Sequence, residues 1–194
     1  MDYMFFEAAS FNGLIDGWDL SSVTSLSRMF YGAETFNRAL GDWDTSSVKD
    51  MSGMFYLAIS FNQAIQNWDT SSVIAMNSMF REARSFNQTI QKWDTVNVVD
   101  MSGMFHLAIS FNQAIQNWDT SSVINMNEMF RNATAFSQPL SSWTGPAATT
   151  TSSSVFTSAL AFLEKYSCSD QNDGPVSSCT CSNFEYCLND FTFH

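Results

Sequence analysis

Positive charge is scarce in this sequence: 8 Lys and Arg stand against 19 Asp and Glu, a formal net charge of −11. A phosphate backbone or an anionic membrane surface is repelled by such a chain at long range, so nucleic acid is a poor partner. Charge of either sign is thin, 14% of residues against a usual share of about a quarter. No stretch approaches the roughly 18 apolar residues of a membrane span, and the N-terminus lacks the basic-then-apolar pattern of a signal peptide. Cysteine is missing from residues 1–167. The only histidines are His106, read as an exposed position, and His194. Neither has a fixed carboxylate or nucleophile partner, so no catalytic triad, metal site or cofactor site is read.

Large apolar residues are abundant: 45% of the chain is hydrophobic, with 18 Phe, 11 Met and 6 Trp. Such a chain buries a sizeable core and is not disordered. The tryptophans explain the excess, because Trp18, Trp43, Trp68, Trp93, Trp118 and Trp143 lie 25 residues apart. Phe30, Phe55, Phe80, Phe105 and Phe130 keep the same phase, as do Ala33, Ala58, Ala83, Ala108 and Ala133. The unit reads M-x-x-M-F-x-x-A-x-x-F-N-x-x-I-x-x-W-D-T-S-S-V-x-x. One such unit cannot bury its apolar face alone, whereas stacked units build continuous interior ladders, so the expected fold is a solenoid. Residues 51–74 and 101–124 differ only at Tyr56 against His106, the mark of a duplicated two-unit block.

Within a unit, Met51, Met54, Phe55, Ala58 and Phe61 fall at i, i+3, i+4, i+7 and i+10, which predicts a short helix with one apolar face, capped by Asp50 or Ser52. A short strand is expected near residues 65–68, followed by a turn at Trp68-Asp-Thr-Ser-Ser72. Asn12, Asn37, Asn62, Asn87 and Asn112 are expected to form a buried amide ladder beside the phenylalanines. The aspartates Asp19, Asp44, Asp69, Asp94 and Asp119 stack about 5 Å apart, where neighbours repel in water by only about 0.8 kcal/mol, so they serve as turn caps without needing calcium.

Three segments are expected: tandem repeats over 1–143, about six with the first incomplete; a degenerate capping repeat over 144–166, where Phe156, Ala159 and Phe162 recover the repeat spacing; and a tail over 167–194. Met1 falls in the phase of Met51, so a signal peptide and a capping unit are expected upstream. The tail holds Cys168, Cys179, Cys181 and Cys187 amid polar residues. An even count in a loop-rich segment suggests two disulfides and an oxidising compartment, and the spacing lacks the paired hooks of structural zinc modules, which is the competing reading.

The segments Phe61-Asn-Gln-Ala-Ile-Gln-Asn-Trp-Asp-Thr-Ser-Ser-Val73 and Met76-Asn-Ser-Met-Phe80 resemble the repeat of BspA-like leucine-rich-repeat surface proteins. The resemblance covers residues 1–143. It implies an α/β fold, a leucine-rich-repeat-like solenoid with a short strand and a short helix per repeat. It further implies a cell-surface or extracellular location, and adhesion to proteins or cells without catalysis.

The polar positions Gln63, Gln66, Asn67, Gln88, Gln91, Gln113, Gln116 and Asn117 are the candidate binding residues, because they form a broad, neutral, hydrogen-bonding face. The expected partner is a protein or cell surface. A glycan is the alternative, through the same amides or through exposed tryptophans used as stacking platforms. An ice-binding face of Thr45, Thr70, Thr95 and Thr120 is a weaker reading, because Leu20 and Gly145 interrupt the column. Of two glycosylation sequons, Asn132 is preferred over Asn87, which is assigned to the buried ladder.

Overall fold

A computed structural model describes residues 1–150 and 152–182. Residues 1–143 wind as successive 25-residue coils, each laid on the next in register. Isolated parallel β-bridges run through Ser25, Asp50, Ala75, Asp100 and Asn125, one per coil. The backbone bonding of one coil shows how the stack is made. The N–H groups of Met51, Gly53, Phe55 and Leu57 donate to the carbonyls of Ala75, Asn77, Met79 and Arg81 in the next coil, at 2.9–3.0 Å. The N–H groups of Met54, Tyr56 and Ala58 turn back to Met51, Gly53 and Phe55 within their own coil, at 3.0–3.2 Å.

This alternation replaces the helix expected at residues 51–61. A helix needs consecutive N–H groups to donate four residues back, and here every second one is committed to the neighbouring coil. Two columns of left-handed residues reset the chain direction between turns. One is Tyr3, Arg28, Gly53, Ser78, Gly103 and Glu128, and the other is Glu7, Gly32, Leu57, Glu82, Leu107 and Asn132. A left-handed residue every fourth position is incompatible with a right-handed helix, so the segment is a chain of turns. Each turn still advances about one helical turn, and Met51, Met54, Phe55, Ala58 and Phe61 are all fully buried as the spacing requires. Residues 65–68 are likewise a turn, closed by Trp68 N–H on the Ile65 carbonyl at 3.2 Å, and not a strand.

The core is a set of in-register columns. Trp43, Trp68, Trp93, Trp118 and Trp143 are buried, with rings 6.3–6.4 Å apart and within 2–7° of parallel. Phe55 stacks on Phe61 within its coil at 3.9 Å and on Phe80 of the next at 5.7 Å, and the same pairings recur up the stack. Each indole N–H donates to a carbonyl 28 residues earlier, for example Trp93 to Ile65 at 3.1 Å and Trp68 to Leu40 at 2.8 Å. A polar atom on each large ring is thereby satisfied inside an apolar column.

The expected degenerate repeat at 144–166 forms the last coil and part of its cover. Pro146–Thr149 is a short helix, α1, and the coil that follows accepts the Glu128, Phe130 and Asn132 N–H groups on Ser153, Val155 and Thr157. A second helix, α2, spans Leu160–Lys165, and strands β1 (Tyr166–Ser167) and β2 (Thr180–Cys181) pair antiparallel. The outer donors of the last coil meet the loop after β1: Ser152 N–H reaches the Asp173 carbonyl and Phe156 N–H the Asn172 carbonyl, at 2.7 and 2.8 Å. A disulfide joins Cys168 to Cys179, and Cys181 is also disulfide-bonded, while Cys187 and His194 lie outside the described residues. Among the described residues no helix is long and apolar enough to cross a membrane.

Candidate functional site

The coil surface carries two chemically different faces. The first is built on the segment that follows Phe61 and its equivalents. Phe61, Ile65 and Trp68 point into the core, which leaves residues 62–64 and 66–67 to the outside. Asn37, Asn62 and Asn87 each accept two bonds on Oδ1 from the next coil: Asn62 takes the Asn87 N–H at 2.9 Å and the Gln88 amide at 3.1 Å. Gln63 reaches Asn37 at 2.9 Å and Gln113 reaches Asn87 at 3.0 Å in the same way. The asparagine ladder exists, but it lies at the surface and is not buried, with Asn87 exposed. The preference for the Asn132 sequon therefore loses its basis, since Asn132 is half-buried and left-handed at φ 58°.

Of the candidate binding residues, Gln63, Gln88 and Gln113 are thus brought into one continuous ladder with their amide oxygens uncommitted. Asn67, Gln91 and Asn117 are exposed, and Gln66 and Gln116 are half-buried. The Oε1 of Gln116 is buried without a partner. The aspartates next along the chain work as turn caps. Asp69 accepts the Ser71 N–H at 3.0 Å and its hydroxyl at 2.6 Å. The seryl hydroxyl first, then the N–H, holds Asp19, Asp44, Asp69 and Asp119 below the ordinary aspartate pKa. Thr45, Thr70, Thr95 and Thr120 are buried and donate to main-chain carbonyls at 2.7–2.9 Å, so their hydroxyls present no outward array. The buried tryptophans likewise offer no stacking platform.

The second face lies over the turns, and the sequence reading missed its organisation. Its columns are Tyr31, Tyr56, Arg81, His106 and Arg131, and beside them Arg28, Gly53, Ser78, Gly103 and Glu128. His106 is only 6% exposed, contrary to expectation, and has a carboxylate partner. Its Nδ1 lies 3.1 Å from Glu128 Oε2, which fixes the proton on Nδ1 for a neutral ring. Arg131 donates to Glu128 Oε1 at 2.7 Å, and Arg81 approaches Oε2 at 3.5 Å from two coils away. Arg81 also lies over the Tyr56 ring, 5.5 Å from its centroid. Burial, then the positive charge of Arg81, pulls His106 below the ordinary histidine value of 6.5. Burial is the largest single influence on Glu128 and works against its ionisation, but the bonds and charges of Arg131 and His106 together outweigh it and its pKa is lowered. The pairing was hidden because His106 and Glu128 are 22 residues apart, a separation that means contact only once the coil register is known.

The cysteine site is a disulfide at Cys168–Cys179 and not a zinc set. Among the described residues no group of three or more His, Cys, Asp or Glu is placed to hold a metal ion.

Stacked coils bearing aligned columns of one side-chain type define the class, a tandem-repeat protein. A family model described as "Mycoplasma protein of unknown function, DUF285" matches residues 1–83 and again 60–169, and the chain belongs to this family. The match continues past residue 143, so the one-residue phase shift between Phe130 and Phe156 falls within it. No curated protein matches the chain. No solved structure matches it either.

Proposed function

We propose that this protein is a non-enzymatic, BspA-like repeat protein of leucine-rich-repeat type that binds a protein partner or mediates adhesion, at the cell surface or outside the cell. The observation that carries the reading is the amide face. Gln63, Gln88 and Gln113 are held at one spacing by bonds to the preceding coil, so a row of identical acceptor groups is pre-ordered before any partner arrives. Pre-ordered, repeated contacts of low charge are weak singly and strong together, because each later contact forms at high effective concentration. The bonded Cys168–Cys179 pair supports an oxidising, extracellular location. Carbohydrate is the second reading of the same face, favoured by its planar amides.

The test compares adhesion of protein-coated beads to cells, immobilised proteins and glycans for three proteins. These are the natural chain, a variant with Gln63, Gln66, Gln88, Gln113 and Gln116 changed to Glu, and a variant altered over the turns at Tyr56 and His106. Loss of adhesion of about tenfold or more is expected for the Glu variant alone. Loss confined to the turn variant contradicts the assignment, and binding to glycans alone selects the carbohydrate reading.

A further inference from the structure

A cleft of about 250 Å³ opens on the turn face, lined by Ser78, Arg81, Ser102, Asn125, Asn127 and Glu128, with Gly103 at its floor. Its origin is local. Gly53 and Gly103 occupy the left-handed column, and at Gly53 the space where a side chain would stand is closed by the Arg28 side chain, whose Cγ comes within 3.1 Å of a Cβ placed there. Around Gly103 the preceding coil supplies the Ser78 hydroxyl at 3.3 Å and the Arg81 Nη1 at 3.6 Å from a Cβ placed there, and the notch between them stays open.

The groups around the notch are donors in excess. The hydroxyls of Ser78 and Ser102 and the side-chain amide nitrogens of Asn125 and Asn127 form no hydrogen bond within the protein, whereas the equivalent Ser52 hydroxyl is bonded to Asp50. The Arg81 Nε is buried without a partner, and the exposed end of the guanidinium makes a single long approach to Glu128 through Nη1. Glu128 does not depend on that approach, since Arg131 and His106 already hold its two oxygens. Asp100, which bridges to Asn125, is committed to the Ser102 N–H at 2.8 Å. The cleft therefore offers one guanidinium end and several neutral donors beside a Glu128 carboxylate whose charge Arg131 already offsets, and it is smaller than the roughly 300–1,000 Å³ of drug-sized sites.

We propose that this cleft binds a single hexuronate, its carboxylate taken by Arg81 and its ring hydroxyls by the Ser78, Ser102, Asn125 and Asn127 side chains. The site is on the opposite chemical face from the amide ladder and does not rest on the reading given for that ladder. Free uronic acid and a uronate at the end of a glycan share this chemistry.

Saturation-transfer NMR with sodium glucuronate, glucose and an oligosaccharide ending in glucuronate tests the proposal on the whole chain. Glucuronate is expected to bind at least about tenfold more tightly than glucose, the difference of one charge-assisted contact. Ser78→Arg copies the arrangement at Arg28 and Gly53, fills the notch and is expected to abolish the transfer. Arg81→Gln, which leaves Glu128 two partners, is expected to bring glucuronate down to the glucose level. The oligosaccharide binding at least as well as the free acid places the ligand on a glycan, and the free acid binding alone makes it a small molecule. Absence of transfer from glucuronate, equal binding of glucose, or undiminished binding by a folded Ser78→Arg protein overturns the proposal.

Discussion

At the scale of single residues, stability rests on large core side chains, and the polar atom of each buried tryptophan is used. Trp93 shows the rule: its ring is sandwiched between Trp68 and Trp118, and its N–H ends on the Ile65 carbonyl. Trp93→Phe keeps most of the apolar area and removes one of the two bonds on that carbonyl, which still takes the Trp68 N–H, so a loss of about 0.5–1.5 kcal/mol is expected by denaturant titration. A neutral outcome would mean that the indole bond contributes nothing. His106 gives a second prediction, in pH. Its pKa falls on folding, so the unfolded chain takes up the proton more readily below the ordinary value of 6.5. The stability this residue contributes is present above that pH and lost as pH falls below it. Glu128 and the capping aspartates, also lowered, add a further loss in the carboxylate range, below about pH 4.5. The melting temperature is therefore expected to decline in two windows. His106→Tyr, which installs the residue found at position 56, should erase the upper window and leave the lower one.

At the scale of the coil, the unit was legible in its packing and illegible in its backbone. Met51, Met54, Phe55, Ala58 and Phe61 were identifiable as one buried face, because a turn of about four residues and a helical turn bury the same positions. The conformation itself depends on where alternate N–H groups go, and their acceptors, such as Ala75 and Asn77, lie a full coil away. Gly32, Gly53 and Gly103 were the available hint, each standing in a left-handed column that is otherwise filled by residues paying for that geometry. The Gln63 to Asn37 bond was invisible for a similar reason, since it links residues 26 apart. Ser78 sits at φ 56° in the Gly53 and Gly103 column, so Ser78→Gly should raise stability by about 1 kcal/mol, the strain of one left-handed residue. Destabilisation measured by thermal or chemical unfolding would show that the left-handed geometry is not required there.

At the scale of the whole molecule, the backbone bonds and ring stacks join each coil to its neighbours, with the Arg81 approach to Glu128 reaching one coil further, and the interfaces repeat. The last coil is closed by Asn172 and Asp173, whose carbonyls take its outer N–H groups, and these lie in the loop spanned by the Cys168–Cys179 bond. Stability is then a sum over coils and interfaces, and coils of matching phase are interchangeable. Removing residues 51–100 tests this most directly, because it joins Asp50 to Met101 in phase and sets Asp50 against Asn125 in place of Asp100, with no new interface type. Equilibrium urea unfolding of that shortened chain, followed by tryptophan fluorescence, is the measurement. A single cooperative transition is expected, with a lower midpoint and an m-value reduced roughly in proportion to the surface removed. A chain without a cooperative transition, or with tryptophans exposed before urea is added, would contradict the stack of interchangeable coils.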